Sequence, residues 1–447
     1  MQERFDLVVV GTGVAASTVA YPCREAGWRV AVIDSRPFGG TCPNRGCDPK
    51  KVLVGAAEIA DAAMRMKPHG VSSDDLHIQW SDLMRFKRTF TDPVPESSER
   101  AFRNAGIETF HSVACFRSPD AMEVAGERLT ARYFLIASGS APARLGIPGE
   151  DLLTNSDGFL DLDALPESII FIGGGYIAFE FAHLAARTGA RVTILHRGKR
   201  PLEHFDGGMV AQLVAHSRAK GIDIRLGAPV TAVEQLDSGE FRVHAGDATY
   251  HAALAVHAAG RPPNLDALDL QVGGVAATLR GVTVNSYLQS VSNPRVYAAG
   301  DSADSGAPAL TPVARYHGRI VTDNLLKGNH REPNYSGVAS AVYTLPALAM
   351  VGLTEETARA KGLDFDVHHA DMTNWYSPRR VAAECAGFKV LVERGTSRVL
   401  GAHILGEAAE DVINIFALGI RNGLTAAQIK EPLYAYPTRS SDIEYMV

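Results

Sequence analysis

One layout occurs twice in this chain, and the duplication constrains the fold more than any other feature. The first copy runs from "FDLVVV" through "GTGVAA" and an apolar periodic stretch that ends at Gly27 to "WRVAVID". The second runs "SIIFI", "GGGYIA", "FEFAHLAARTG", "RVTILH". A short apolar run bounded by glycine reads as a parallel strand buried on both faces, and the periodic segment after the turn as its crossover helix. Each copy therefore predicts a strand–turn–helix–strand unit that binds a dinucleotide. Its first glycine, Gly11 or Gly173, makes the turn. The second, Gly13 or Gly175, lets the backbone approach a pyrophosphate, and the helix N-terminus faces the phosphate charge. Alanine fills the third position in both copies, Ala16 and Ala178, as the fingerprint allows.

What separates the copies is the residue that ends the second strand, 21 positions after the second glycine in each. In the first it is Asp34, whose carboxylate accepts hydrogen bonds from ribose hydroxyls. In the second it is His196, followed by Arg197, Lys199 and Arg200. A cationic cluster at that place suits a 2′-phosphate and so points to NADPH over NADH; a solvated basic loop is the alternative.

Composition excludes several classes of partner. With 447 residues, 46% hydrophobic and 21% charged, the chain reads as a globular protein of roughly three domains. A net charge of -6 gives no electrostatic reason to expect nucleic acid or an anionic membrane. The acids Glu3 and Asp6 precede the first apolar run, which argues against a signal peptide. No apolar run reaches the roughly 18 residues of a membrane span. A cytoplasmic protein with a small-molecule substrate is expected.

Five cysteines in a chain of this length do not make a secreted disulfide framework. Cys23, Cys115 and Cys385 are isolated and read as inert buried thiols. Cys42 and Cys47 are different: they lie in "GGTCPNRGCDPKK", with four residues between them. Zinc would need a further ligand pair at characteristic spacing, and none is present, so no metal site is expected. Asp48 and Pro49 read as N-cap and first helical residue, which sets Cys47 beside a helix N-terminus. That field, with the nearby lysines, draws a thiol from about 8.5 toward the ~3.5 to 7.5 of reactive cysteines.

With two dinucleotide units and this cysteine pair, the chain resembles the pyridine nucleotide-disulfide oxidoreductases, such as glutathione reductase, dihydrolipoamide dehydrogenase and mercuric reductase. The likeness spans essentially the whole sequence. "GGTCPNRGC.PKK" matches the redox-active disulfide segment, "YAAGD" (297–301) the segment whose aspartate binds the flavin ribityl chain, and "HAAGRPPN" a segment closing the NADPH domain. "YTLPALAMVGLTEETA" resembles the start of a dimerisation domain. The resemblance implies an α/β fold with two Rossmann-like domains and an α+β C-terminal domain. FAD would occupy residues 1–146 and 266–332, NADPH residues 147–265, and the dimer interface residues 333–447. It implies FAD contacts from Gly11, Gly13, Ala16, Asp34, Gly40, Thr41, Gly139 and Asp301, and nicotinamide-dinucleotide contacts from Gly173, Gly175, Tyr176, His196, Arg197 and Gly260. Cys47 would be the flavin-proximal sulfur and Cys42 the interchange thiol. Lys50 would stand near flavin N5 with Glu180 as its partner, and Tyr176 would gate the nicotinamide pocket. A homodimer is implied, its active site completed by the partner's C-terminal segment.

The C-terminus departs from that pattern. Where the related enzymes carry a histidine and, five residues on, a glutamate, "YAYPTRSSDIEYMV" puts Tyr436 and Ser441. A phenol with pKa near 10 stays protonated where an imidazole near 6.5 exchanges a proton. Glutathione-binding serine and arginine positions correspond to Val14 and Tyr21, and no cysteine follows residue 385. The expected function is transfer of electrons from NADPH through FAD and the Cys42/Cys47 disulfide to a small disulfide-type substrate. The alternatives are a soft metal ion or quinone as acceptor, and a redox-sensing flavoprotein with little turnover.

Overall fold

A computed structural model describes residues 4–447. Glu3, one of the two acids set against a signal peptide, lies outside the described residues. Two compact units are formed. Of the described residues, 4–50, 85–143 and 260–335 make the first, and 51–84, 144–259 and 336–447 the second.

In the first unit, β1 (Phe5–Val10) is followed by helix α1 (Val14–Glu25) and β2 (Val30–Asp34). β1 is central because Leu7, Val8 and Val9 have no polar side to turn outward, and all three are fully buried. It pairs in parallel with β2 (Val8 opposite Ala31) and with strand Glu127–Ile136 (Val8 opposite Phe134). Strand Val296–Ala298 adds on in parallel, with Tyr297 opposite Leu135. The short helix α2 (Thr41–Arg45) and helix α3 (Cys47–Met66) follow β2, α3 belonging to the second unit from Lys51 on.

The second unit repeats the parallel pattern: Leu254–His257, Ser168–Ile172, Arg191–His196 and Asp223–Leu226 lie side by side in that order. Helix Tyr176–Arg187 buries Phe179, Phe181, Ala182 and Leu184 against them. The same unit holds a five-stranded antiparallel sheet, Ala339–Val342, Ala347–Gly352, Val399–Gly406, Gly387–Glu393 and Phe365–Asp371. Helix Ala409–Arg421 packs on it with Val412, Ile413 and Phe416. Among the described residues no helix is long and apolar enough to cross a membrane.

Of the isolated cysteines, Cys23 and Cys385 are buried, and burial pushes each thiol up to about 12. Cys115 corrects the expectation: it is half-buried, because it sits on the outward-facing step of strand Ala114–Ser118 between the inward Ala114 and Phe116.

Candidate active site

The two glycine turns have the same geometry. Gly11 has φ of 108° and Gly173 of 132°, and a Cβ on either would fall 2.2 Å from the Ala137 carbonyl oxygen or 2.1 Å from that of Ala258. Only glycine fits where the neighbouring strand crosses this closely. Ala16 and Ala178 are fully buried, which seats each helix tightly on its sheet. No side chain caps α1 or helix Tyr176–Arg187. Around Gly175 nothing lies within 4 Å of a would-be Cβ, and around Gly13 only the Gly40 Cα does, at 3.7 Å. Helix-end amides with no side-chain cap, beside side-chain-free space, are what a pyrophosphate requires, so both turns fit a dinucleotide.

The first turn is tied to its surroundings. Thr12 donates to Asp34 Oδ2 from its amide (3.0 Å) and its hydroxyl (2.7 Å), and the Gly39 amide donates to Thr12 Oγ1. Asp34 thus anchors the turn, and the Arg36 amide donates to its other oxygen at 3.0 Å. Gly40, at φ of 76°, backs onto Gly13 so closely that its Cβ would lie 2.5 Å from the Gly13 Cα. Thr41 opens α2 and is exposed. The Gly139 amide donates to Ser302 Oγ at 2.9 Å, and Asp301 Oδ2 accepts from Ser140 Oγ at 2.9 Å. Gly260 belongs to the first unit, where its carbonyl accepts from the Ala143 amide. His317, buried on helix Thr311–Lys327, accepts from the Gly300 amide at 3.1 Å and donates to Tyr335 Oη at 2.8 Å, which fixes the backbone ahead of Asp301. Burial holds its pKa down at about 4, so it stays neutral.

Cys47 is the first residue of α3, and Asp48 lies inside the first turn; Asp48 is not the N-cap. The helix starts at Cys47, two residues before Pro49, because Gly46, with φ -141° and ψ -115°, makes the break between α2 and α3. Asp48 Oδ1 instead accepts a hydrogen bond from Cys42 Sγ at 3.5 Å. Thr311 Oγ1 lies 3.3 Å from Cys47 Sγ. The two sulfurs differ sharply. Cys47 is lowered to about 6, first by the hydrogen bond from Cys42 and then by Thr311 and the charge of Lys50, against burial and Asp48. Cys42 is pushed far up by the same hydrogen bond, by burial, and by the charges of Cys47 and Asp48. The pair rests as one thiol and one thiolate.

In the second unit, Tyr176 starts its helix half-exposed and Glu180 is 2% exposed, its Oε1 accepting from the Tyr343 amide at 2.9 Å. His196 packs against the glycine turn: a Cβ on Gly174 would lie 2.4 Å from its Nδ1, and Nε2 faces the Arg200 carbonyl at 3.0 Å. Arg200 pairs with Glu356, while Arg197 and Lys199 are exposed. Tyr436 is 79% exposed. Ser441 donates to the Thr438 carbonyl at 2.7 Å, and Asp442 is buried with Ser377 donating to it at 3.0 Å. Sequence reading passes over Thr12, Thr311 and His317. Thr12 stands inside the glycine motif, where a signal exists, but Thr311 is 264 positions from the sulfur it touches.

These features meet in one class of protein. Residues 5–318 match the model of the pyridine nucleotide-disulphide oxidoreductases, and 338–447 that of their dimerisation domain. The chain belongs to that family, and is an NAD(P)H-dependent flavin disulfide oxidoreductase that uses FAD. Over 444 residues it is 33% identical to a glutathione reductase of Burkholderia cepacia, covering 98% of this chain and 97% of that one. It is also 33% identical over 458 residues to a mercuric reductase of Streptomyces lividans, covering 98% and 95%. A solved structure of the HOCl-induced flavoprotein disulfide reductase RclA from Escherichia coli, a Cu(II) complex, superposes with a TM-score of 0.89 at 26% identity, covering 100% and 99%.

Proposed function

We propose that the chain takes electrons from NADPH, passes them to the Cys42–Cys47 disulfide, and reduces a small disulfide-type substrate. The observation that carries this reading is the division of labour between the sulfurs: Cys47 is held as a thiolate by Cys42, Thr311 and Lys50, and Cys42 is kept as a thiol. When bound, FAD supplies the two-electron relay between the nicotinamide and the disulfide. Gly11, Gly13, Ala16, Asp34, Gly40, Thr41, Gly139 and Asp301 would hold it. Gly173, Gly175, Tyr176, Glu180, His196, Arg197 and Gly260 would serve the NADPH side, with Arg197 and Lys199 reaching the 2′-phosphate. Lys50 would offer a preorganised cation toward the flavin ring. The division into an FAD domain (1–146, 266–332), an NADPH domain (147–265) and an interface domain (333–447) goes with this proposal. So do a homodimer whose C-terminal segment, with Tyr436, completes the partner's site, and a reducing cytoplasmic setting in which the dithiol persists.

A soft metal ion or a quinone is the second reading. It is favoured by the absence of an acid–base pair at Tyr436 and Ser441, the latter turned into a local bond to Thr438. Steady NADPH oxidation across a panel of disulfides, quinones and metal–thiol complexes decides between them. Turnover with disulfides is expected. Reduction of quinone or metal alone would replace the first reading by the second, and turnover of neither would leave a slow redox sensor.

A further inference from the structure

The C-terminal segment carries no imidazole, yet a carboxylate touches one of the reacting sulfurs. Cys42 Sγ donates to Asp48 Oδ1 at 3.5 Å, inside the reach of a sulfur hydrogen bond. Asp48 is exposed and follows Cys47 directly, so the helix end that presents the thiolate also presents a carboxylate to the other sulfur. The charges that act on Cys42 are those of Cys47 and Asp48, Lys50 acts on Cys47, and the Thr311 hydroxyl hydrogen-bonds to both sulfurs.

We infer that Asp48 is the acid–base group of Cys42, a role that rests on the disulfide-reducing reading above. As Cys42 attacks a disulfide RS–SR, its proton passes to Asp48. A Cys42–SR bond forms, the substrate S–S bond breaks, and the departing RS⁻ takes the proton back from Asp48. The Cys47 thiolate then attacks Cys42. The Cys42–Cys47 bond forms, the mixed disulfide breaks, and the second RS⁻ draws its proton from water. Two electrons leave the dithiol, and the enzyme supplies one of the two protons. The one Cys42 proton lies within reach of both the Cys47 sulfur and Asp48 Oδ1, and its passage to the carboxylate requires neither a partner subunit nor a histidine at position 436.

The test uses FAD-loaded wild type and Asp48→Asn, both reduced with a phosphine so that NADPH is not needed. Single exchange is followed with an alkyl disulfide, bis(2-hydroxyethyl) disulfide, whose leaving thiolate needs a proton, and with an aryl disulfide, dithiobis(nitrobenzoate), whose leaving thiolate does not. General acid–base help is typically worth ~10² to 10⁴. Asp48→Asn is therefore expected to slow the alkyl reaction at least about tenfold more than the aryl one. Removing the carboxylate should also move the pH midpoint of Cys42 alkylation by iodoacetamide downward, by about one unit, read by mass spectrometry of the Cys42 peptide. Equal slowing of both disulfides, or an unmoved midpoint, overturns the inference and leaves Asp48 a helix-terminal charge. Because exchange is read on chemically reduced protein, lack of NADPH-driven disulfide turnover in the wild type would remove the substrate reading without altering this result.

Discussion

Cys42 and Cys47 lie in one short segment, yet their neighbours give them opposite protonation. A thiolate exists above its pKa, so Cys47, at about 6 where an ordinary thiol lies near 9, is ionised at neutral pH and is lost as pH falls through about 6. Reduction by NADPH should therefore produce a long-wavelength charge-transfer band that fades on acidification through that range. Cys47→Ser should abolish the band with flavin still bound. Thr311→Val, which removes a hydroxyl 3.3 Å from the sulfur, should shift the midpoint of the titration upward. An unchanged midpoint in Thr311→Val would show that the hydroxyl does not support the thiolate.

At the scale of elements, the two glycine turns are near copies with different ends. Asp34 is drawn inward to Thr12, whereas His196 lies across its own glycine turn and leaves the exposed Arg197 and Lys199 as the cations beyond the strand. Arg200 is engaged by Glu356, so it contributes less to a 2′-phosphate than its position in the cluster implies. Charge-assisted contacts are worth ~1.5 to 3 kcal/mol each. Arg197→Ala with Lys199→Ala should therefore raise the NADPH concentration needed for half-maximal flavin reduction at least about tenfold and leave that for NADH nearly as it was. Arg200→Ala should have a smaller effect. Parallel losses for both coenzymes would mean that the cluster does not read the phosphate.

At the scale of the whole molecule, each unit is assembled from distant segments. In the second unit a run of ion pairs joins helix Tyr176–Arg187, the later part of α3 and the C-terminal segment. Arg187 and Arg65 both donate to Asp61 at 3.0 Å, and Glu407 receives both Arg65 and Arg439. Arg65 and Arg187 are almost buried. Asp61→Asn leaves two guanidiniums competing for one weak acceptor and should destabilise the protein by about 3 kcal/mol, since breaking a buried pair costs ~3 to 5; thermal unfolding measures it. A shift in Tm within error would show that the arginines find other partners. In the first unit, strand Val296–Ala298 completes the sheet beside Glu127–Ile136. A fragment of residues 1–146 lacks it, together with Asp301, and should lose flavin on gel filtration.

Local sequence carried the strands, the glycine turns and the reactive pair, because each is set by short-range physics: apolar runs that must be buried, positions that only glycine can occupy, and a thiol at a helix start. Gly11 and Gly173 were legible for this reason, as was the contrast between Asp34 and His196. The folded chain alone decided what neighbours those groups have. Thr311 reaches Cys47 across 264 positions, and His317 fixes the loop of Asp301 from within a buried helix. Asp48 turns to Cys42 because α3 begins at Cys47, two residues before the Pro49 start that Asp-Pro suggests. Side-chain direction at a helix terminus depends on where the first turn closes, and here that is set by the backbone break at Gly46, a conformation that residue type alone does not dictate.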